Sequence, residues 1–383
     1  MKIPFHKPCI TDRDVRAVVK CLRNGWLTMG NMTIEFENAF KKYVGSHYTV
    51  AVSSGTAALH LALEAIGLKE GDEVIVPAMT FTSTAEVVCY FKAKPVFVDI
   101  EKSTGNIDVS QIEKKITKRT KAIIPVDYAG QPADLNDIKR IANKNNLFII
   151  VDAAHSLSSY YKGKRISRAA DMTCFSFYAT KTLTTGEGGM VATNNKRWAE
   201  RIRIMRLHGI SRDAWKRRSS RGGWYYEVVS PGYKYNISDM QSALGIEQLK
   251  KVDSMWRKRT RIAERYNKAF RNIEEVTIPY IKGHRQPSWH LYVIQLNIDT
   301  IKISRNQCIE QLKKTGVCVG VHFIPLYRHP FYRKKFGYAI SQFPNCEWVY
   351  KRIISLPIYP SMTKREVTKV IKAVTNIVSR NRR

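Results

Sequence analysis

Lys181 stands five residues after Ser176 and just ahead of a glycine-rich turn, Gly186, Gly188 and Gly189. The pattern reads as a strand that delivers Ser176, a turn that carries Lys181, and a return strand at Met190–Thr193. Glycines beside a lysine let backbone crowd a bulky ligand. Apolar neighbours disfavour the ammonium form, which is what an imine-forming amine requires. Taken alone, a lysine in such a turn reads equally as a surface residue of a hairpin.

Two further segments carry candidate chemistry. Val151-Asp152-Ala153-Ala154-His155 ends an apolar strand with a carboxylate, at the edge where α/β proteins bind their ligands. A carboxylate there needs a partner; the protonated ring nitrogen of a cofactor, an arginine or a helix N-terminus would each serve. His155 reads either as a ligand contact or as a satisfied core histidine. Ser53-Ser54-Gly55-Thr56 joins a strand to a helix, so free N–H groups at the helix start favour an anion and Thr56 offers a hydroxyl. Ser and Thr are also common caps with no ligand at all.

These segments need a frame. Tyr48–Val52, Glu73–Pro77, Pro95–Asp99, Ala122–Val126 and Leu147–Val151 are short, β-branched, continuously apolar runs. Helical patterns lie between them at Ala57–Ala65, Thr84–Phe91 and Leu135–Asn145. The alternation predicts a largely parallel sheet covered on both faces, an α/β architecture of doubly wound type. Asp239–Phe270 is one long charge-rich helix. Beyond it, strand-like His290–Leu296 and Val317–Val321 alternate with helices at Arg305–Lys314 and Lys364–Val378. The expected organisation is a large domain over 1–245 with an N-terminal arm, and a smaller α+β domain over 246–383, joined through the long helix.

Gly55-Thr-Ala-Ala-Leu59, Asp152-Ala-Ala-His155 and Ser176-Phe-x-x-x-Lys181-x-Leu-Thr-Thr-Gly-Glu-Gly-Gly189 resemble the signatures of the DegT/DnrJ/EryC1/StrS family of pyridoxal-phosphate sugar aminotransferases. Gly25–Thr28, Ala129–Pro132, Pro231–Asn236, His322–Leu326 and Leu356–Met362 match further family segments in the same order. The resemblance implies a type I aminotransferase fold, pyridoxal 5'-phosphate as cofactor, and a homodimer with shared active sites. Under it, Lys181 would carry the cofactor as a Schiff base and move the proton during transfer. Asp152 would pair with the pyridinium nitrogen; Gly55, Thr56 and Ser176 would hold the phosphate; Phe81 would stack on the ring; His155 would bond near its phenolic oxygen. Many members carry Asn where this chain has Lys234, and Asn236 follows two residues on. Both are expected to reach the partner subunit's phosphate. Trp26, Thr28 and His322 fall in segments the family places around its substrate.

The same resemblance implies transfer from glutamate to a sugar ketone. Ser211–Arg221 resembles members acting at C4 of nucleotide-linked 4-keto-6-deoxy sugars, with UDP the favoured nucleotide. A 3-keto sugar or a cyclitol is the alternative substrate. Members that dehydrate sugars replace the lysine with histidine, so Lys181 favours transamination.

Composition bounds these readings. The chain has 383 residues, 44% apolar and 25% charged, ordinary values for a protein with a real core. No run approaches the roughly 18 uncharged apolar residues a membrane span needs, and the start lacks a secretory apolar segment. Seven scattered cysteines without Cys-x-x-Cys spacing argue against a disulfide framework or a zinc site, so no metal and a reducing cytoplasm are expected. Net charge is +32, and it is uneven: residues 1–200 hold 27 basic and 20 acidic side chains, the remainder 37 and 12. An excess of this kind attracts a small polyanion or a nucleic acid, or simply keeps a protein dispersed. A catalytically retired family member that binds anionic polymers is the reading from another class. No recognition helix, zinc-finger spacing or ribonucleoprotein motif supports it.

Overall fold

In the computed structural model, which describes residues 2–166, 170–211 and 225–383, the short apolar runs assemble into a seven-stranded sheet. Its first five strands are β1 (Tyr48–Val52), β2 (Glu73–Pro77), β3 (Lys94–Val98), β4 (Thr120–Ile123) and β5 (Phe148–Asp152). Next come β6 (Tyr160–Tyr161) and β7 (Lys164–Arg165), a small hairpin. The chain then returns to the large sheet as β8 (Met172–Ser176) and β9 (Gly189–Thr193). The spatial order is β1-β9-β8-β5-β4-β2-β3. Pairings among β8, β5, β4, β2 and β3 are parallel, and β9 runs antiparallel to both its neighbours, β1 and β8.

Alternate residues of each strand feed opposite faces, as the pleat requires. Val50, Val52, Val74 and Val76 join one core, packed with α3 (Gly55–Ala65) and α4 (Ser83–Tyr90). Ala51, Ile75, Ile123 and Val151 join the other. There they meet Phe36 and Phe40 of α2 (Asn31–Val44), which follows α1 (Asp12–Arg23), and Ile138 of α5 (Leu135–Lys144). α6 (Lys196–Met205) buries Ala199 and Ile202 on the first side. Continuous apolar strands are thus the consequence of two covered faces.

α7 (Asp239–Phe270) runs 32 residues without a break, started by a Ser238–Gln241 capping box. Its first half packs Ile246, Leu249, Val252 and Met255 against the large sheet, and its second half packs Ile262, Tyr266 and Phe270 into a third core. The expected boundary at 245/246 falls inside this continuous helix. Beyond it lie β10 (Val276–Thr277), β11 (Arg285–Gln286), β12 (Tyr292–Leu296) and β13 (Ile353–Leu356). β10, β12 and β13 form an antiparallel sheet, while β11 joins β6 and β7. Helices α8 (Arg305–Lys314), α9 (Pro330–Phe336), α10 (Pro344–Tyr350) and α11 (Lys364–Arg380) complete the order.

Val317–Val321 is not the continuous strand its residues suggest. It makes only isolated bridges, Val317 with Ile3 and Gly320 with Ser355. Ile3 is fully buried in the third core, so the N-terminal arm is tied to the C-terminal sheet. Among the described residues, no helix is long and apolar enough to cross a membrane.

Candidate active site

β8 ends at Ser176, and the connection to β9 carries Lys181. This connection is built from within: Phe177 N–H donates to Gly188 O (2.8 Å), Thr185 N–H to Phe177 O (3.0 Å), and Lys181 N–H to Tyr178 O (2.9 Å). Phe177 is fully buried between Phe36 and Phe40, which anchors the turn to the core. Gly189 is required by its neighbour across the β1–β9 pairing, since a Cβ there would lie 2.2 Å from the Ser54 carbonyl oxygen. Lys181 is partly buried, and desolvation pushes its amine down to about 8, with the Asp152 charge opposing the fall.

Asp152 is the last residue of β5 and is 5% exposed. Burial raises its carboxyl above the usual range. Two donors hold it: Thr84 Oγ1 at 2.8 Å and Ala154 N at 3.1 Å. Thr80 Oγ1 lies 2.8 Å from Thr84 Oγ1. Among the described residues no cation pairs with Asp152 in a salt bridge; beyond two hydrogen bonds and the charge of Lys181 the buried carboxylate has no direct ion-pair partner, an arrangement that favours an incoming cationic group.

At the other end of the site, β1 runs into α3 through Ser54, whose side chain accepts from Ala57 N (3.0 Å) and caps the helix. Gly55 faces Ser176: a Cβ at Gly55 would come within 2.8 Å of Ser176 Cβ and 3.2 Å of its Oγ. The helix start with Gly55 and Thr56, together with the Ser176 hydroxyl, makes a cradle for an anion. The other capping reading also holds in part, because Ser54 caps α3 while Gly55, Thr56 and Ser176 keep their partial exposure.

His155 is buried, its Nδ1 has no hydrogen-bond partner among the described residues, and desolvation holds its pKa well below the usual value. His322 is held by a 2.8 Å contact between its Nδ1 and Ser355 Oγ, its ring stacks on Phe5, and burial pushes it down to about 4. Both histidines feel the Lys181 charge. Phe81 leaves its ring exposed beside Phe323, 6.0 Å between centroids. The structure therefore gathers Lys181, Asp152, His155 and His322 electrostatically, and Gly55 with Ser176 by contact.

The remaining expected residues make no hydrogen bond to Lys181 or Asp152 among the described residues. Lys234 and Asn236 bond to each other and flank Tyr235, whose carbonyl accepts from Ser53 N (2.7 Å). Among the described residues their recorded bonds lead to neither Lys181 nor Asp152. Trp26 and Thr28 are tied to the start of α7: Trp26 Nε1 donates to Met29 O, Asp239 N–H to Thr28 O, and the Asp239 carboxylate accepts from Gly30 and Thr33 N–H. Trp26 also lines a cleft of about 890 Å³ with Arg13, Arg16, Lys20 and Lys250. The Ser211–Arg221 stretch lies outside the described residues after Ser211.

Sequence reasoning missed Thr84, Thr80, His290 and His6. The four-residue spacing of Thr80, just ahead of α4, and Thr84, in its first turn, was the available signal for the first pair. His290 carried no signal beyond its place at the head of an apolar strand.

The set fits pyridoxal phosphate on its own chemistry. It offers a desolvated amine for an aldehyde, an uncompensated buried carboxylate for a ring nitrogen, a helix-start cradle for a phosphate, and an exposed aromatic face.

The comparisons agree with that chemistry. A family model described as the DegT/DnrJ/EryC1/StrS aminotransferase family matches residues 8–375. The spore coat polysaccharide biosynthesis protein SpsC of Bacillus subtilis is 45% identical over 377 residues, covering 98% of this chain and 97% of that protein. Among solved structures, the sugar aminotransferase Spr1654 of Streptococcus pneumoniae in its PLP form superposes with a TM-score of 0.93 at 32% identity, covering 99% of each chain. Helicobacter pylori PseC, an aminotransferase involved in the biosynthesis of pseudoaminic acid, gives 0.92 at 30% identity, covering 99% of this chain and all of that one.

Proposed function

The chain belongs to the DegT/DnrJ/EryC1/StrS aminotransferase family and is a pyridoxal-phosphate-dependent sugar aminotransferase with the type I fold; from that premise we propose that it moves an amino group from glutamate to the C4 ketone of a nucleotide-linked 4-keto-6-deoxy sugar, UDP-linked in the first instance. The observation that carries the reading is the Lys181 amine, desolvated and opposed only by the Asp152 charge. A histidine there would lack the primary amine that transfer needs.

When bound, the cofactor supplies an aldehyde to take the amino group and a ring to spread the electrons released at the donor's α-carbon. The chain's residues do the rest. Lys181 Nζ takes the proton from the donor Cα and later delivers one to the sugar carbon, fixing its configuration. Asp152, kept in place by Thr84 and Ala154 N–H, holds the ring nitrogen in its protonated form. Gly55, Thr56 and Ser176 bind the phosphate, Phe81 covers the ring, and His155 bonds near the phenolic oxygen. His322, Trp26 and Thr28 stand toward the sugar substrate.

Two copies complete each site, Lys234 and Asn236 reaching the neighbour's phosphate. The units 1–245 and 246–383 are read as two domains hinged on α7. The basic excess after residue 200 suits a diphosphate-bearing substrate. Likeness to SpsC and PseC, named for a coat polysaccharide and for pseudoaminic acid, supports a product that enters a surface glycan.

The test is a panel of UDP-, dTDP- and GDP-linked 4-keto-6-deoxy sugars incubated with glutamate and followed by mass spectrometry. A ketone-to-amine shift on the UDP sugar is expected. Turnover of 3-keto sugars or a cyclitol alone would replace the C4 assignment. Absence of any turnover with tight retention on nucleic acid would favour the anionic-polymer reading.

A further inference from the structure

A layer of imidazoles lies around Lys181, and the mechanism above uses it only in part. The His155 and His290 rings lie in close, tilted contact, with centroids 4.3 Å apart and 35° between planes. Phe323 stacks on His155 as well, at 5.9 Å and 23°. His6, on the N-terminal arm, bonds to the backbone at Ala179, two residues before Lys181. With Phe5, Thr180 and His322, His6 and His290 line a void of about 20 Å³. His155 Nδ1, His290 Nδ1 and His6 Nε2 are all buried without a hydrogen-bond partner among the described residues.

His155 therefore has no hydrogen bond at Nδ1 to fix the turn of its ring. Its main chain is fixed: the His155 carbonyl accepts from Ser288 Oγ and lies against Gly130. Its ring is fixed by faces. His290 supplies the closer one, and its main chain is held because its backbone N–H donates to Ser288 Oγ (3.3 Å) and Leu291 N–H donates to Ala129 O (3.3 Å) at the entry to β12. Arg259, buried nearby and donating to the Ile358 and Trp289 carbonyls, would repel a cationic imidazole. Desolvation also holds His155 and His290 well below the usual histidine range, so the pair packs as two uncharged rings.

We propose that His290 is a positioning residue for the amino transfer, holding the His155 ring by close, tilted ring contact rather than by a hydrogen bond at Nδ1. This rests on the reading that His155 meets the cofactor. Phenylalanine keeps the face and removes the nitrogens; alanine removes both.

The experiment uses full-length protein with His290→Phe, His290→Ala, His155→Ala and the His155→Ala/His290→Ala double variant. Histidine 15N NMR on cofactor-free protein reads the His155 ring directly, and equilibrium titration with pyridoxal phosphate and steady-state kinetics follow. His290→Phe is expected to leave the His155 signals in place and kcat within about twofold of wild type. His290→Ala should broaden or shift them and lower kcat about tenfold, with KM for glutamate little changed. Adding His290→Ala to His155→Ala should cost nothing further, since the second residue acts through the first. Equal damage from His290→Phe and His290→Ala, additive losses in the double variant, or a silent His290→Ala would each overturn the proposal. Failure of the wild-type protein to bind pyridoxal phosphate would instead overturn the functional reading, while the NMR comparison would still judge the stacking.

Discussion

Thr84 Oγ1 donates to Asp152 Oδ2 at 2.8 Å, and Thr80 Oγ1 stands 2.8 Å behind Thr84 Oγ1. A carboxylate only accepts, so the single Thr84 proton is committed to Asp152 and the Thr80 hydroxyl must donate to Thr84. The two buried threonines thus form a directed chain that aims hydrogen-bond polarity at the acid. Thr84→Val keeps the shape and removes the donor. Leaving Asp152 with Ala154 N–H alone should cost about 1–3 kcal/mol at the charged acid, expressed as a loss of kcat on the order of ten- to a hundredfold. Steady-state kinetics with a Tm control checks this, and an unchanged kcat would remove Asp152 from the cofactor's ring nitrogen.

Lys181→Ala should remove the imine absorbance band and lower turnover by about 10²–10⁴-fold or more, the range of a lost proton-transfer group. The fold should survive, because Phe177, Leu183 and the Gly188 contact hold the turn without the lysine side chain. Absorbance spectra and circular dichroism on the same sample separate the two effects.

Reconstitution of cofactor-free protein should depend on pH with a midpoint near the Lys181 value of about 8. Only the free amine reacts, so the rate rises as pH increases toward 8 and levels off above it. An unburied lysine would keep gaining through pH 10. Asp152→Asn removes the charge that opposes the fall, and the midpoint should move lower. The same group also links to stability: the folded form releases its proton near 8 while the unfolded chain holds it to the ordinary lysine value of 10.5, so this residue favours the folded cofactor-free protein increasingly as pH rises across that window. Stopped-flow absorbance at several pH values gives the midpoint.

Gly55→Ala should weaken pyridoxal phosphate binding by about tenfold or more, because the new methyl would come within 2.8 Å of Ser176 Cβ and push the hydroxyl out of the phosphate cradle. Gly189→Ala meets the Ser54 carbonyl instead and should lower Tm. Equilibrium titration and thermal melts distinguish a binding defect from a folding one.

Mixing Lys181→Ala with Lys234→Ala protein should restore up to about a quarter of wild-type activity if each site draws one residue from each subunit, since random pairing leaves one intact site in half of the dimers. Full additivity of the two separate preparations, with no gain on mixing, would mean that Lys234 serves its own chain.

The sheet was legible because two covered faces force continuous apolar strands. Tyr48–Val52 and Glu73–Pro77 were read at their observed ends, as was the long helix Asp239–Phe270. Val317–Val321 misled because β-branched residues also suit a segment held by two isolated bridges, one to the N-terminal Ile3 and one to Ser355. No local pattern announces a partner more than three hundred residues away. In the site, Lys181, Asp152 and Ser176 stood out because their types are costly without a use. Thr84 and His290 did not, because a threonine in a short helix and a histidine before a strand are unremarkable until the fold shows what faces them. The dimer contacts proposed for Lys234 and Asn236 would involve a second chain, which one sequence expresses only by resemblance.

β1 meets the large sheet only through β9, its neighbour on one side and the reversed strand of the set. During synthesis, the strand that leads into Ser54 and Gly55 therefore has no ladder to join until Gly189–Thr193 has left the ribosome. The proposed phosphate cradle at Gly55 and Thr56 is thus translated early yet completed only once Ser176 and β9 have followed, and a chain interrupted before Gly189 leaves β1 without its strand partner.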